Sequence, residues 1–361
     1  MFRRDRPLNE TTDPTTERTD VAVIGAGPVG LFSVFECGLL GMSCQVVDAL
    51  DAVGGQCRAL YPEKPIYDIP GFSVISGADL VERLAEQAEP FGPVYHLGAA
   101  AQGLTKTENG WRVTTGSGLA IEVKAVIIAG GAGAFGPNRP PLAGIEAYET
   151  LGPGRGVNYW VGKREDYREK KVVIAGGGDS AVDWALSLSD VAERVSLVHR
   201  RPKFRAAPAS VERLDERVAA GAVDLVVPYQ LAALEGDDEG LKTVVVRDFD
   251  DQEKHLAADV LLPFFGLAQD LGPVAGWGLE TDAHHILVDP TTAATNLPGV
   301  FAVGDIAYYP NKHKLILTGF SEAAFAAHAA YAYVFPDREL HFEHSTSKGL
   351  PTGTAAPTKD G

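Results

Sequence analysis

Two glycine-rich segments of this chain have residue types and spacing that could bind the pyrophosphate of a dinucleotide. The first is GAGPVG at residues 25–30, and the second is GGGDSA at residues 176–181. In such segments glycines allow a tight turn, close approach of the backbone to phosphates and close packing of the following helix. The unpaired N–H groups at the amino end of that helix then stabilise the negative charge. The predicted phosphate-binding residues are Gly25, Gly27, Pro28 and Gly30 in the first segment, and Gly176, Gly178, Asp179, Ser180 and Ala181 in the second.

The two segments differ in the charge that follows 23 residues after their first glycine. After the first segment this position is Asp48, whose carboxylate can accept hydrogen bonds from both hydroxyls of an adenosine ribose. After the second it is His199, within a stretch that has bases and no acid. Guanidinium groups bind a 2′-phosphate that a carboxylate would repel, so the second segment is predicted to bind NADP(H). A solvated basic loop is the alternative for these residues, which are His199, Arg200, Arg201, Lys203 and Arg205.

The surrounding elements are those of nucleotide-binding α/β domains. Each glycine turn follows a short apolar run typical of a buried parallel strand and precedes a helical stretch. In each case a second strand then leads to the residue 23 positions after the first glycine, Asp48 or His199 (the ribose-reading position). A further strand ends on Gly304 and Asp305, where the Asp305 carboxylate could accept from a ribityl chain. Two dinucleotide sites in one chain predict a bound FAD that exchanges hydride with a visiting NADP(H).

The order of these elements predicts an α/β fold with two Rossmann-like three-layer nucleotide-binding domains. The NADPH-binding domain is expected to be inserted in a discontinuous FAD-binding domain, because glycine- and proline-rich steps lie between the modules. The predicted boundaries are 20–136 and 267–347 for the FAD-binding domain and 137–266 for the NADPH-binding domain, with 1–19 and 348–361 as flexible termini.

The composition excludes several classes of protein. Lysine and arginine number 32 against 48 aspartates and glutamates, a net charge of −16, so nucleic-acid binding is not expected. No apolar run reaches about 18 residues, so no membrane span is expected, and residues 1–20 lack the apolar region of an export signal. Three cysteines are too few for a disulfide framework. These features predict a cytoplasmic protein, and no metal site is predicted.

Further strings beside the glycine turns carry a family likeness. They are GGQ at 54–56, ALYPEK at 59–64, GGDSAVDWAL at 177–186, HRRPKFR at 199–205, GD at 304–305 and HSTS at 344–347. On these strings the chain resembles the thioredoxin-reductase-like flavoprotein disulfide reductases. Within them it most resembles the ferredoxin (flavodoxin)–NADP reductases of thioredoxin-reductase type, over about residues 20–347.

The cysteines separate these two kinds of reductase. A thioredoxin reductase carries a redox CxxC shortly before the second glycine motif, whereas residues 156–167 here contain no cysteine. Cys37, Cys44 and Cys57 all lie in the first module, and none is three residues from another. Cys37 and Cys44 are interpreted as small buried hydrophobes, and the role of Cys57 stays open. A single thiol cannot cycle as a dithiol, so we expect the flavin itself to pass electrons outward.

The resemblance also implies roles for individual residues. Tyr61 would cover one face of the isoalloxazine and His344 the other, and these two are the predicted catalytic residues. Ser345 and Thr346 would lie near the ring edge. A homodimer is implied as well. The remaining flavin contacts that the resemblance implies are Gly55, Gln56, Ala101, Phe135 and Asp305.

The activity implied by the resemblance is electron transfer between NADPH and a carrier protein, ferredoxin or flavodoxin. Hydride transfer to a flavin needs no acid–base residue, so no general base is predicted. Such carriers are usually acidic, so a protein with net charge −16 must dock them on a local basic patch. The candidates for this patch are Lys163, Arg164, Lys170, Lys171, Lys312 and Lys314.

Two other functions stay open at this point. One is an NADPH-dependent reductase of small acceptors, such as a quinone, free flavin or an iron chelate, or of a disulfide partner. The other is a flavin-binding sensor without turnover. The intact second nucleotide module argues against the sensor, because a sensor needs no NADPH site.

Overall fold

The structure of the chain, a computed structural model, describes residues 16–340, with residues 134, 135 and 267–269 described by their backbone alone. The α-helices are α1 (Pro28–Leu39), α2 (Gly55–Ala59), α3 (Gly77–Ala88), α4 (Glu146–Glu149), α5 (Asp179–Leu188), α6 (Pro208–Ala219) and α7 (Ile316–Val334). Short 3₁₀ turns lie at Glu89–Phe91, Arg164–Tyr167, Gly272–Gly276 and Gly304–Ile306. Within the described residues, no helix combines the length and apolarity needed to cross a membrane.

The strands, in chain order, are β1 (Thr16–Arg18), β2 (Val21–Ile24), β3 (Cys44–Val47), β4 (Pro65–Ile66), β5 (Ile75–Ser76), β6 (Val94–His96), β7 (Ala101–Thr107), β8 (Gly110–Thr115), β9 (Ala120–Val123), β10 (Ala125–Ile128), β11 (Ala134–Pro137), β12 (Gly156–Val157), β13 (Lys171–Ala175), β14 (Arg194–Val198), β15 (Val223–Val226), β16 (Gln230–Asp237), β17 (Gly240–Arg247), β18 (Glu253–Ala257), β19 (Val260–Pro263), β20 (Leu267–Asp270), β21 (Thr281–Asp282), β22 (His285–Leu287), β23 (Val300–Ala302) and β24 (Ala307–Tyr308).

The first domain is built on a parallel five-stranded sheet with the order β23-β10-β2-β3-β6. All of β2 is buried, because the sheet is covered on both faces. Val21 and Val23 pack with helices α1 and α7, whereas Ala22 and Ile24 face the antiparallel strands β8 and β9. Since β23 follows residue 266 and the other strands precede residue 137, two separate stretches of chain build this sheet.

The second domain repeats this arrangement with the intervening stretch of chain. Its parallel sheet has the order β12-β19-β13-β14-β15, and the antiparallel strands β16, β17 and β18 form a separate sheet. Helices α5 and α6 cover one face of the parallel sheet, where Val172 and Ile174 pack. Val173 and Ala175 pack on the other face with residues of β17. Each domain therefore has three layers, with helices on one face of a parallel sheet and antiparallel strands on the other.

Two crossing segments connect the domains and lie side by side. Strand β11 leaves the first domain and pairs antiparallel with β20, which returns to it. Beside this pair, the Asn138 N–H donates to the Gly266 carbonyl oxygen (3.1 Å), and Asn138 Nδ2 donates to the Phe265 carbonyl oxygen (3.2 Å). The connection is therefore a narrow, two-stranded joint.

Candidate active site

A cavity of about 470 Å³ opens at the carboxyl ends of strands β2, β3 and β10. Open parallel sheets bind their ligands at this edge, because strand ends and helix amino ends meet there. The lining residues come from both stretches of the first domain. The predicted site residues among them are Gly25, Gly27, Pro28, Asp48, Gly55, Gln56, Tyr61, Ala101 and Asp305.

The first glycine turn is shaped by close backbone contacts. Gly25 has φ +110°, and a Cβ there would lie 2.4 Å from the carbonyl oxygen of Ala129. A Cβ on Gly30 would lie 1.9 Å from the Gly25 carbonyl oxygen, so helix α1 packs directly on the turn. A Cβ on Gly27 would meet only the Cα of Gly55, at 3.9 Å. The turn thus leaves room for a phosphate in front of the amino end of α1.

Asp48 connects the end of β3 to the glycine turn. Its Oδ2 accepts from the Ala26 N–H (2.6 Å) and its Oδ1 from the Leu50 N–H (2.8 Å). Burial raises the pKa of the Asp48 carboxyl, and these two hydrogen bonds act in the opposite direction. A carboxylate has about four lone-pair sites, so two remain for the hydroxyls of a ribose. Asp48 therefore lines the cavity with two acceptor sites free.

Cys57 and Tyr61 lie together in the lining of the cavity. The Cys57 Sγ is 3.7 Å from the Tyr61 hydroxyl oxygen. Burial raises the pKa of the Cys57 thiol to about 11 and raises that of the Tyr61 phenol. Both groups therefore stay protonated at neutral pH, and a neutral thiol is a poor nucleophile. The pair provides neither a thiolate nor a general base.

These features fit FAD. Its diphosphate fits at the amino end of α1, where Gly27 and Gly55 lie in contact and both line the cavity, and Asp48 fits its adenosine ribose. Tyr61 and Asp305 line the remainder of the same cavity, where a flavin and its ribityl chain would lie.

The second glycine turn is hydrogen-bonded to the basic segment that follows β14. A Cβ on Gly178 would meet no atom within 4 Å, so the amino end of α5 is open. The Asp179 carboxylate accepts from the Ala207 N–H (2.9 Å), and the Arg205 N–H donates to the Gly177 carbonyl oxygen (2.7 Å). Gly176 closes the turn after β13, and Ser180 and Ala181 continue it into α5. The structure thus brings the predicted phosphate-binding turn and the basic segment together.

His199 differs from the other basic residues of this segment. Its ring is buried and packs on the ring of Phe204 (centroids 5.1 Å apart), and a Cβ on Gly177 would lie 2.1 Å from its Cε1. Burial lowers the pKa of His199, and neighbouring arginines lower it further. Four basic residues are exposed, with no carboxylate at ion-pair distance among residues 16–340: Arg200, Arg201, Lys203 and Arg205. These four are therefore the groups available to a 2′-phosphate.

Tyr61 is also a contact between the domains. Its side chain packs with a hydrophobic cluster of the first domain (the Cys57 cluster, with Leu31 and Leu80). It also packs with a cluster of the second domain (the α5 cluster, with Val182 and Ala185). In the next residues, Glu63 Oε2 accepts from the Arg164 N–H (2.8 Å) and Lys64 Nζ lies 3.1 Å from Asp183 Oδ2. The loop that brings Tyr61 to the cavity therefore also contacts the second domain.

The prediction that Lys312 belongs to the docking patch for the carrier is wrong. The Lys312 side chain is 3% exposed, because its ammonium group pairs with Glu322 beneath the Gly304 turn. Arg164 donates to the Ser187 carbonyl oxygen (2.8 Å), so its guanidinium is partly committed within the second domain. Lys163 and Lys314 are exposed, and docking on them stays a prediction.

Glu322 is absent from the predicted site residues although it contacts the Gly304 turn. A single acid inside the alanine-rich run of α7 is the sequence signal that could indicate it. His344, Ser345 and Thr346 lie outside the described residues, and Phe135 is described only as part of strand β11. Among the described residues, no group of three or more metal-ligating side chains could hold a metal ion.

Comparison with known proteins identifies the family. The profile of the pyridine nucleotide-disulphide oxidoreductases matches residues 19–330. The chain belongs to this family. Membership supports the predicted cofactors, FAD and NADP(H), since the two glycine turns lie within the matched residues.

Individual relatives give a finer likeness. The chain is 60% identical over 336 residues to a ferredoxin–NADP reductase of Paramagnetospirillum magneticum, covering 93% of this chain and 98% of the relative. It is 59% identical over 341 residues to the same enzyme of Rhodospirillum rubrum, with coverage of 93% and 98%. Among solved structures it resembles the thioredoxin reductase of Lactococcus lactis, with a TM-score of 0.76, 26% identity and coverage of 88% and 99%. The predicted fold and the predicted family resemblance are confirmed.

Proposed function

We propose that the protein is a ferredoxin–NADP⁺ reductase, which transfers electrons between NADP(H) and ferredoxin or flavodoxin. The full-length relatives named as such enzymes support this function. The observation that carries it is the state of the thiols. Cys37, Cys44 and Cys57 are all unpaired and buried, and only Cys57 lines the cavity. A disulfide reductase needs two thiols at its flavin, and this chain provides one.

The residues of the second domain select and orient the nicotinamide cofactor. The open amino end of α5 would bind its pyrophosphate, and Arg200 and Arg201 would bind the 2′-phosphate. Asp179 accepts from the Ala207 N–H and so keeps the basic segment beside that site. FAD, when bound, would supply the chemistry that links a two-electron hydride donor to a one-electron carrier. Burial raises the pKa of both Cys57 and Tyr61, so neither group would exchange a proton at neutral pH.

The domain contacts set a condition for the hydride step. Tyr61 lies between the cavity and the α5 cluster, and so occupies space that a nicotinamide needs on that side of a flavin. We propose that the second domain rotates on the joint of β11 and β20. The pair of Lys64 with Asp183 then breaks and re-forms during turnover. His344 would cover the opposite face.

The state of the protein in the cell is part of the proposal. We propose a homodimer in the cytoplasm, and unpaired, buried cysteines are consistent with a reducing compartment. Light scattering of the FAD-bound protein measures the assembly directly. A stable monomer would contradict the dimer and leave the proposed reaction unaffected.

The deciding experiment is NADPH-driven reduction of cytochrome c, with and without added ferredoxin or flavodoxin. We expect a slow rate with the enzyme alone and a large, saturable increase when the carrier is added. Reduction of quinone, free flavin or iron chelate is measured in parallel. Fast reduction of one of these acceptors, with no effect of either carrier, would contradict the proposed function.

A further inference from the structure

A lysine and a glutamate are buried together beneath the Gly304 turn. The side chains of Lys312 and Glu322 are 3% and 4% exposed, and the Lys312 Nζ lies 2.7 Å and 2.8 Å from the two carboxylate oxygens. Lys312 precedes α7, and Glu322 lies within it. Burying such a pair costs desolvation energy that two apolar residues would not cost. Stability alone therefore does not account for charged residues at these positions.

Both charges converge on the backbone of one residue. The Gly304 N–H donates to Glu322 Oε2 (2.7 Å), and the Gly304 carbonyl oxygen accepts from Lys312 Nζ (2.6 Å). The Tyr309 hydroxyl donates to Glu322 Oε1 (2.8 Å). The ammonium group thus reaches three acceptors and each carboxylate oxygen two donors, so the network is fully satisfied.

The position of Gly304 depends on contacts from other residues. It has φ +73°, in the left-handed region, and carries no side chain that could fix it by packing. Helix α7 approaches it closely, because a Cβ on Gly319 would lie 3.2 Å from the Gly304 Cα. Glu322 lies three residues further along the same helix. The next residue after Gly304 is Asp305, which lines the cavity.

We propose that Lys312 and Glu322 are positioning residues for the flavin cofactor. They hold Gly304 by its N–H and its carbonyl oxygen, and the position of the following Asp305 carboxylate in the cavity is fixed as a result. The ligand class that this carboxylate recognises is a polyhydroxylated chain, the ribityl group of FAD. The inference rests on the proposed function in that it takes FAD as the bound cofactor.

The test separates positioning from stability with four variants. Glu322→Gln and Lys312→Met each leave a buried charge without its counter-charge, whereas Glu322→Gln with Lys312→Met removes both charges. Ser321→Ala, on the exposed neighbour in α7, is the matched control. For each apoprotein we measure the urea midpoint of unfolding and the Kd for FAD, from the quenching of flavin fluorescence.

We expect each single variant to lower the urea midpoint, because it leaves an unpaired buried group. The double variant recovers much of that loss, yet its Kd for FAD stays raised by roughly 10-fold or more, since hydrogen bonds between charged groups and the turn are gone. Its flavin absorbance band, measured at saturating FAD, shifts relative to wild type. Ser321→Ala changes neither the midpoint nor the Kd.

The inference is overturned if the double variant binds FAD with the wild-type Kd and absorbance. Where the charge variants do not fold, Tyr309→Phe removes one donor to Glu322 and should raise the Kd by a few-fold. An unchanged Kd in that variant would also overturn the inference. A wild-type protein that binds FAD but does not reduce ferredoxin or flavodoxin contradicts only the proposed function, so the two failures are distinguishable.

Discussion

Replacing Arg200 and Arg201 by alanine tests whether the basic segment selects NADPH over NADH. Both side chains are exposed, and no carboxylate among residues 16–340 lies at ion-pair distance from either. A hydrogen bond to a charged group contributes about 1.5–3 kcal/mol, and exposure favours the lower end of this range. Each lost arginine–phosphate contact then costs about 10-fold in affinity, and the double variant roughly 100-fold if the two add.

The assay is steady-state kinetics of the FAD-bound protein with NADPH and with NADH. The apparent KM for NADPH should rise by the stated factor, whereas that for NADH should change little, because NADH lacks the 2′-phosphate. The matched control is Arg247→Ala, which removes an equally charged side chain from β17, where Arg247 pairs with Glu253. It should leave both KM values unchanged.

The reasoning would be refuted by equal losses with NADPH and NADH in the double variant. Such a result would assign Arg200 and Arg201 to folding or to docking of the carrier. The flavin absorbance provides an internal check, since these residues lie in the second domain. It should be identical in wild type, variant and control.

Three further predictions concern the tail, the domain contact and the buried thiol. Truncation before His344, or His344→Ala, should leave FAD bound but change the rate of hydride transfer and the flavin spectrum. If stopped-flow traces and spectra match those of wild type, the tail does not cover the flavin. The Lys64 and Asp183 side chains are 21% and 22% exposed, and in a double-mutant cycle of Lys64→Ala and Asp183→Ala each single variant should alter the hydride-transfer rate. The effects should not add, and additive effects would mean that the pair does not control the domain arrangement. Burial raises the pKa of Cys57 to about 11, so its alkylation by iodoacetamide in the folded protein should be very slow at pH 7 and should accelerate as the pH rises towards that value. Cys57→Ser should retain carrier reduction. Loss of that activity would assign the thiol a redox role.

The two dinucleotide turns could be predicted from the sequence because their determinants are local. The turn, the helix that follows and the ribose-reading position lie within one βαβ unit, so spacing alone relates Gly25 to Asp48 and Gly176 to His199. The sign of the charge at the second position is equally local. The domain boundaries at residues 136–137 and 266–267 remain our interpretation, consistent with strands β11 and β20 crossing there.

The surroundings of individual side chains could not be predicted in this way. His199 belongs to a basic string, yet its ring is buried because Gly177 leaves space for it and Phe204 covers it. Lys312 stands in a polar turn between Asn311 and His313, which favours an exposed lysine. It is buried because α7 brings Glu322 within hydrogen-bond distance of it.

The sequence by itself determined that this chain has two dinucleotide-type glycine turns, one followed by a carboxylate and the other by bases at the ribose-reading position. It also determined that the chain has no CxxC motif, whereas the structure showed that Cys57 alone of the three cysteines lines the cavity. The tertiary structure alone decided that Tyr61 contacts both domains and that Gly304 is held by Lys312 and Glu322. The physical reason is that a buried charge is stable only beside a partner, and partners that lie far apart in the chain become neighbours only when the helices and sheets pack.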